Sequence, residues 1–221
     1  MKLPLMNRLR KRSHRDVALL EDVMVRIVYG LDSTIEIHGG TAIWRCYGGK
    51  RFSKDIDMYV ASQEKWQELK ERITETAKDY GAEVIKLKDT GNLIFMELLV
   101  DGIYSEIDVN YKVYYKDPVV RGYENVDGTF GEVLTLPPEA LILEKISAYN
   151  DRKSITDLYD LRILVDFAEI GKVRQQLKKF VASIGKGEDM RKEEERLKDL
   201  IYEGPVPSFA SLVGYIKGRI A

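Results

Sequence analysis

Asp55 and Asp57 stand one residue apart in Ser53-Lys54-Asp55-Ile56-Asp57-Met58, and Gly39-Gly40-Thr41 lies a short way before them. On an extended strand successive side chains alternate, so the two carboxylates share one face about 6 to 7 Å apart, while Ile56, Met58 and Val60 point into a core. Two acids that close repel each other and invite a hard divalent cation. Mg²⁺ takes oxygen ligands and keeps waters and substrate phosphates in its shell, so an open carboxylate-lined site is the expected form. Asp108, within Ile107-Asp108-Val109, is the candidate third metal ligand, and Glu106 on the same face is its rival. Without a Cβ, Gly39 and Gly40 let backbone amides approach phosphate oxygens, and a helix beginning there adds its positive end. Thr41 and Ser53 offer hydroxyl donors to the same phosphates. Such a set could hold a nucleoside triphosphate beside one or two Mg²⁺ ions and leave the α-phosphorus open to a hydroxyl that Asp108 helps to activate.

These groups need elements to carry them. Apolar residues from Val17 to Val28 recur at helical spacing, Gly30 can end that helix, and residues 34–38 read as a strand. Residues 41–47 read as a short helix broken by Gly48-Gly49, and residues 55–60 as an alternating strand. Residues 63–81 predict an amphipathic helix with Trp66, Leu69, Ile73 and Ala77 on its apolar face, and residues 82–87 a further strand. Asp101-Gly102, between two apolar runs in residues 93–112, signals a two-residue hairpin turn. That turn pairs Val100 with Ile103, Leu98 with Ser105, Met96 with Ile107 and Ile94 with Val109 on a core face. It sets Leu99 opposite Tyr104, Glu97 opposite Glu106 and Phe95 opposite Asp108 on the other, where the like charges of Glu97 and Glu106 cost energy unless a cation intervenes. Asp127-Gly128 reads as a turn. From residue 137 the pattern is helical, over residues 138–149, 155–169, 173–184, 189–202 and 208–220, with Gly185-Lys186-Gly187 and Gly204-Pro205-Val206-Pro207 as punctuation.

A chain of 221 residues that is 44% hydrophobic can bury a real core. Its 35 Lys and Arg nearly cancel its 36 Asp and Glu, so no global basic field attracts nucleic acid and any such contact is local. Cys46, the single cysteine, excludes an internal disulfide and suits a reducing, cytoplasmic setting. No apolar run approaches a membrane span. Cys46 reads as a small buried group, His38 as a partly exposed strand residue, and the basic arm Arg8–Arg15 and the charge-rich residues 186–198 as solvated faces, the arm being able to touch an RNA backbone.

The run GGTAIWRCYGGKRFSKDIDM resembles the first motif of the DNA polymerase β-like nucleotidyltransferase superfamily, and its Thr-Ala after the glycines and Arg51-Phe52-Ser53 look most like the AbiEii/AbiGii toxin-type branch. A second match is Leu143-Glu144-Lys145-Ile146-Ser147-Ala148 followed by Arg152 to Leu161, which departs from the branch's pattern at Thr156, where an Arg usually precedes the first Asp. The resemblance covers most of residues 17–170. It implies an α+β, minimal nucleotidyltransferase fold: a mixed β-sheet flanked by helices over residues 1–136, and a helical C-terminal region packed on it over residues 137–221. It further implies Asp55, Asp57 and Asp108 as the metal triad, Lys145 as a triphosphate contact, and Asp157 and Asp160 as supports. Arg152 shares a helical face with Lys145 and is a second candidate for nucleotide binding. Members of this branch include toxins of toxin–antitoxin pairs, some of which transfer nucleotides to tRNA ends, so an RNA acceptor, with a protein hydroxyl as the alternative, and a cognate antitoxin are the expected partners. A catalytically silent nucleotide-binding regulator and a small-molecule nucleotidyltransferase are the other readings; intact Asp55, Asp57 and Asp108 speak against the first and the Lys145–Leu161 block against the second.

Overall fold

The computed structural model describes residues 3–111, 117–184 and 190–221. Lys112 at the end of the hairpin run, Gly185-Lys186-Gly187 and Asp189, the first residue expected for the fourth C-terminal helix, lie outside them. The chain divides into two compact units, one formed by Met1–Cys46 and Ser53–Leu136, the other by Tyr47–Phe52 and Pro137–Ala221. Residues 47–52, which the sequence places with the first part, therefore belong with the helical second part.

The first unit opens with α1 (Leu5–Arg8) and α2 (Arg12–Leu31). It continues through β1 (Glu36–His38), α3 (Gly39–Cys46), β2 (Asp55–Tyr59), α4 (Gln63–Asp79), β3 (Glu83–Asp89), β4 (Leu93–Val100), β5 (Ile103–Asn110), β6 (Val119–Glu124) and β7 (Phe130–Thr135). The sheet runs β3-β4-β5-β2-β1-β7-β6 and is mixed: β2 is parallel to β5 and β1 to β7, while the other neighbours are antiparallel. The fold class is α+β.

Alternation decides which face of the sheet is covered. Ile56, Met58, Ile94, Met96, Leu98, Ile107 and Val109 are fully buried and cluster with Leu20, Met24 and Val28 of α2 and Trp66, Leu69, Ile73 and Ala77 of α4. The four α4 residues are the ones its helical spacing predicts. Ser62 caps that helix by accepting a hydrogen bond from the Lys65 amide. The Asp101-Gly102 turn has both residues at positive φ, 50° and 79°, as a type I′ hairpin requires, and the β4–β5 register is the expected one at every pair from Val100↔Ile103 to Ile94↔Val109. The Glu97–Glu106 repulsion is relieved by Lys86 of β3, whose Nζ lies 2.9 Å from Glu97 Oε1.

Further features of the first unit differ from the sequence reading. The β6–β7 hairpin has no alternating pattern to reveal it; Gly122 interrupts β6 because the Phe130 ring packs there, 3.2 Å from where a Cβ would sit. Its Asp127-Gly128 turn is as expected, with Gly128 at φ 89°. The basic arm is not wholly solvated, since Arg8 is buried in an ion pair with Glu124, and Leu5 and Leu9 are buried beside it. His38 is buried rather than partly exposed, its ring stacked on Tyr59 at 3.8 Å.

A buried charge cluster joins α2 to α3. Arg45 Nη2 donates to Glu21 Oε2 at 3.0 Å and lies 3.3 Å from Asp22 Oδ1, with Tyr123 and the Val126 amide also donating to Asp22. One guanidinium faces two acids. Asp22 takes the better-satisfied position, while Glu21 Oε1 has no hydrogen-bond partner, and burial pushes the Glu21 carboxyl up to about 8 despite Arg45.

The second unit contains α5 (Pro138–Arg152), α6 (Ile155–Leu164), α7 (Ile170–Ser183), α8 (Arg191–Leu200) and α9 (Phe209–Ile220). Residues 47–52 attach to it through an Arg51–Ile201 bridge, a Phe52 amide to Leu200 carbonyl bond and a Tyr202 hydroxyl to Gly49 carbonyl bond. The helix expected over residues 155–169 is cut at Leu164, after which tight turns lead to α7.

Candidate active site

Parallel pairing of β2 with β5 sets Asp57 directly beside Asp108 and Asp55 beside Glu106. Ile56, Met58, Ile107 and Val109 all point into the core, so these four acids occupy the opposite face of the sheet. The start of β2 is held on both flanks: Thr41 Oγ1 donates to the Asp55 carbonyl at 2.7 Å, and Ser105 Oγ to the Lys54 carbonyl at 3.0 Å.

The environment of the acids is graded. Asp55 is exposed and lies 3.5 Å from Lys54 Nζ, a weak surface pair. Asp57 is half-buried. Asp108 is also half-buried, and its Oδ1 is out of contact with solvent and has no hydrogen-bond partner. Burial, then repulsion from Asp57, Asp55 and Glu106, raises the Asp108 carboxyl to about 6, with His38 partly opposing. An inward carboxylate oxygen lacking a donor, beside further acids, is a costly arrangement that a cation would relieve. The oxygen donors are of the hard kind that Mg²⁺ takes. Among the described residues, no three potential ligands are drawn together into a closed metal-binding group. The fit to a cation rests on the unpartnered Asp108 oxygen and on the oxygen chemistry of the donors.

The glycines have a more specific task than the sequence suggests. Gly39 adopts φ 68°, and a Cβ there would lie 2.0 Å from Asp57 Oδ2. Its first role is thus to make room for that carboxylate. Gly40 and Thr41 follow in the first turn of α3, both buried. Thr41 is a correction: its hydroxyl, expected to donate to phosphate, is fully buried and committed to the Asp55 carbonyl, because β2 needs an anchor at that point. Ser53 is half-buried immediately before the strand.

In the second unit, α5 and α6 build another charged cluster. Lys145 Nζ lies 2.9 Å from Asp160 Oδ2 and 3.5 Å from Asp157 Oδ1. Arg152 grips Asp157 through two bonds of 2.8 and 2.6 Å, and Arg51 grips Asp160 through two of 2.7 and 2.5 Å. Burial opposes ionisation of Asp160, yet Arg51 and Lys145 hold its carboxyl below the usual range. Lys145 sits on the buried stripe of α5, with Leu141 and Tyr149, and is not a solvent-facing lysine. Arg51 is the residue the sequence reading did not place: it and Arg152 supply the guanidinium partners in a block where the usual Arg is Thr156. Thr156 is buried, its hydroxyl 3.0 Å from that of Ser154. A basic residue far from the acid it neutralises leaves no local spacing to detect.

Paired acids on adjacent strands lie next to a glycine turn that opens a helix, the arrangement expected of a nucleotidyltransferase. The chain matches the family model for the nucleotidyl transferase AbiEii toxin of type IV toxin–antitoxin systems over residues 23–210, and it belongs to that family. Among solved structures it is similar to the nucleotidyltransferase toxin MenT4 from Mycobacterium tuberculosis H37Rv, at 16% identity and a TM-score of 0.64 over 96% of this chain and 85% of that one. It is also similar to JHP933 from Helicobacter pylori, at 18% identity and a TM-score of 0.59 over 96% and 91%. At such identities the likeness establishes the fold. No curated protein matches the sequence.

Proposed function

We propose that this chain transfers the nucleoside monophosphate of an NTP to a hydroxyl of RNA, such as a tRNA end, as the toxin of a toxin–antitoxin pair acting in the cytoplasm. The observation that carries the reading is the alignment of Asp57 with Asp108 and of Asp55 with Glu106 across β2 and β5, with an Asp108 oxygen left unpartnered. Asp55, Asp57 and Asp108 would hold Mg²⁺, which supplies neutralisation of phosphate charge when bound. The amides of the Gly39-Gly40 turn and Ser53 bind and orient the triphosphate. Asp108, set beside Asp57 by the β2–β5 register, is placed to receive the proton of the incoming hydroxyl. Lys145 and Arg152 are the proposed triphosphate cations on the strength of the family likeness, with Asp157 and Asp160 holding them. The family's type IV system supports a cognate antitoxin as partner. Among the described residues no helix is long and apolar enough to cross a membrane.

Incubation with each labelled NTP, Mg²⁺ and total cellular RNA tests the proposal. Label enters RNA with the native chain and is lost with Asp57→Ala, whose fold is unchanged by circular dichroism because no core cavity is made. Full incorporation by Asp57→Ala would remove the site from consideration.

A further inference from the structure

A cavity of about 340 Å³ opens beside the acids, within the first unit. That is in the range of small-ligand pockets, roughly 300 to 1,000 Å³. Its lining includes Val17 of α2, Lys54 and Asp55 at the start of β2, and Ile103, Tyr104 and Glu106 at the start of β5. Val17 and Ile103 are apolar, Tyr104 leaves 61% of its surface exposed, and the exposed Lys54 ammonium lies 3.5 Å from Asp55 in a lining that also carries Asp16 and Glu106. A large, solvent-facing aromatic ring beside a cation and an apolar wall is the combination on which nucleobases stack.

We propose that this cavity seats the terminal nucleobase of the RNA acceptor, stacked on Tyr104, with Lys54 meeting the adjoining backbone phosphate. The proposal rests on the transfer reaction above and adds where its acceptor binds. A nucleobase could equally come from the incoming NTP, and the position of the cavity decides between the two sources. The Gly39-Gly40 turn follows β1 on one flank of β2, whereas the cavity opens along β5 on the other. Displacement at phosphorus runs in line, the attacking oxygen entering opposite the departing group. A triphosphate gripped at the glycines directs its pyrophosphate toward β1, so the acceptor arrives from β5. Its hydroxyl oxygen forms a bond to the α-phosphorus as the bond from that phosphorus to the bridging oxygen breaks. Pyrophosphate leaves with the electron pair, and the hydroxyl proton passes to Asp108, which lies on β5 beyond Glu106.

The test uses the full chain and a short single-stranded RNA ending in 2-aminopurine, whose fluorescence is quenched on stacking, alongside calorimetry with the four non-hydrolysable NTP analogues. Saturable quenching is expected with the native chain and with Tyr104→Phe. Tyr104→Ala weakens RNA binding about five-fold or more, as loss of one base–aromatic stack does, and leaves analogue affinity unchanged. Ser13→Trp, at an exposed position on the cavity wall, fills the space and has the same effect by a different route. Unchanged RNA binding in both variants, absence of quenching by the native chain, or label entering protein instead of RNA overturns the proposal. Weakened analogue binding with intact RNA binding also overturns it, by assigning the cavity to the NTP base. Asp57→Ala separates the two levels of inference: it keeps the quenching and loses incorporation. Incorporation that survives Asp57→Ala sinks the transfer site while leaving the nucleobase cavity standing.

Discussion

Gly39 shows how narrow the tolerance is at the level of single residues. Its positive φ strains any other residue, and its missing Cβ is the space that Asp57 Oδ2 occupies. Gly39→Ala must displace either the turn or the carboxylate, and a shift of about 1 Å in a reacting group can cost on the order of 100-fold in rate. We therefore expect Gly39→Ala to lower label incorporation by about that factor while retaining a cooperative thermal transition. Incorporation within two-fold of the native chain would show that Asp57 is not held in its working position here. Thr41 belongs to the same scale: hidden from solvent, it holds the backbone at Asp55, so its contribution is the placement of a carboxylate and not a direct bond to phosphate.

Between elements, the Glu21–Asp22–Arg45 cluster ties α2 to the helix that begins with the glycines. Burial raises the Glu21 carboxyl from its ordinary 4.5 to about 8, so between those values the folded protein holds a proton that the unfolded chain has released. Stability from this group is present at low pH and is lost as pH rises across that window. Urea midpoints at pH 5 and pH 8 measure it. The native chain should lose stability between the two, and Glu21→Gln, which keeps the shape without titrating, should show a smaller loss. Equal losses in the two proteins would mean that Glu21 is ionised throughout. The β4–β5 hairpin is the contrasting case, since turn chemistry and alternation agree and its register follows from local sequence.

For the molecule as a whole, the chain leaves its first unit after Cys46, lends Tyr47–Phe52 to the second, and returns at Ser53. The Arg51–Asp160 pair holds that loan in place, with both side chains nearly inaccessible. Asp160→Ala leaves Arg51 buried without its carboxylate and Lys145 with one acid in place of two. Removing one partner of a buried ion pair costs about 3 to 5 kcal/mol, and we expect a loss of that order in urea unfolding of the full chain. A loss below about 1 kcal/mol would show that the cluster is solvated in solution.

Local sequence was enough for the acids of β2, the face they occupy, the β4–β5 pairing and the apolar stripe of α4, because period and turn type act over a few residues. The same reasoning reached Asp108, since the hairpin register fixes its side of the sheet. It did not reach β6 and β7: they form a local hairpin around the expected Asp127-Gly128 turn, but their residues lack clean alternation, and β7 joins the sheet through its distant partner β1. Nor did it reach the partners of Arg51 and Arg45, or the reason Gly39 must be glycine. Those depend on atoms brought together from distant parts of the chain, and only the packed structure sets which acid a buried guanidinium meets and which carboxylate fills the space a missing Cβ leaves.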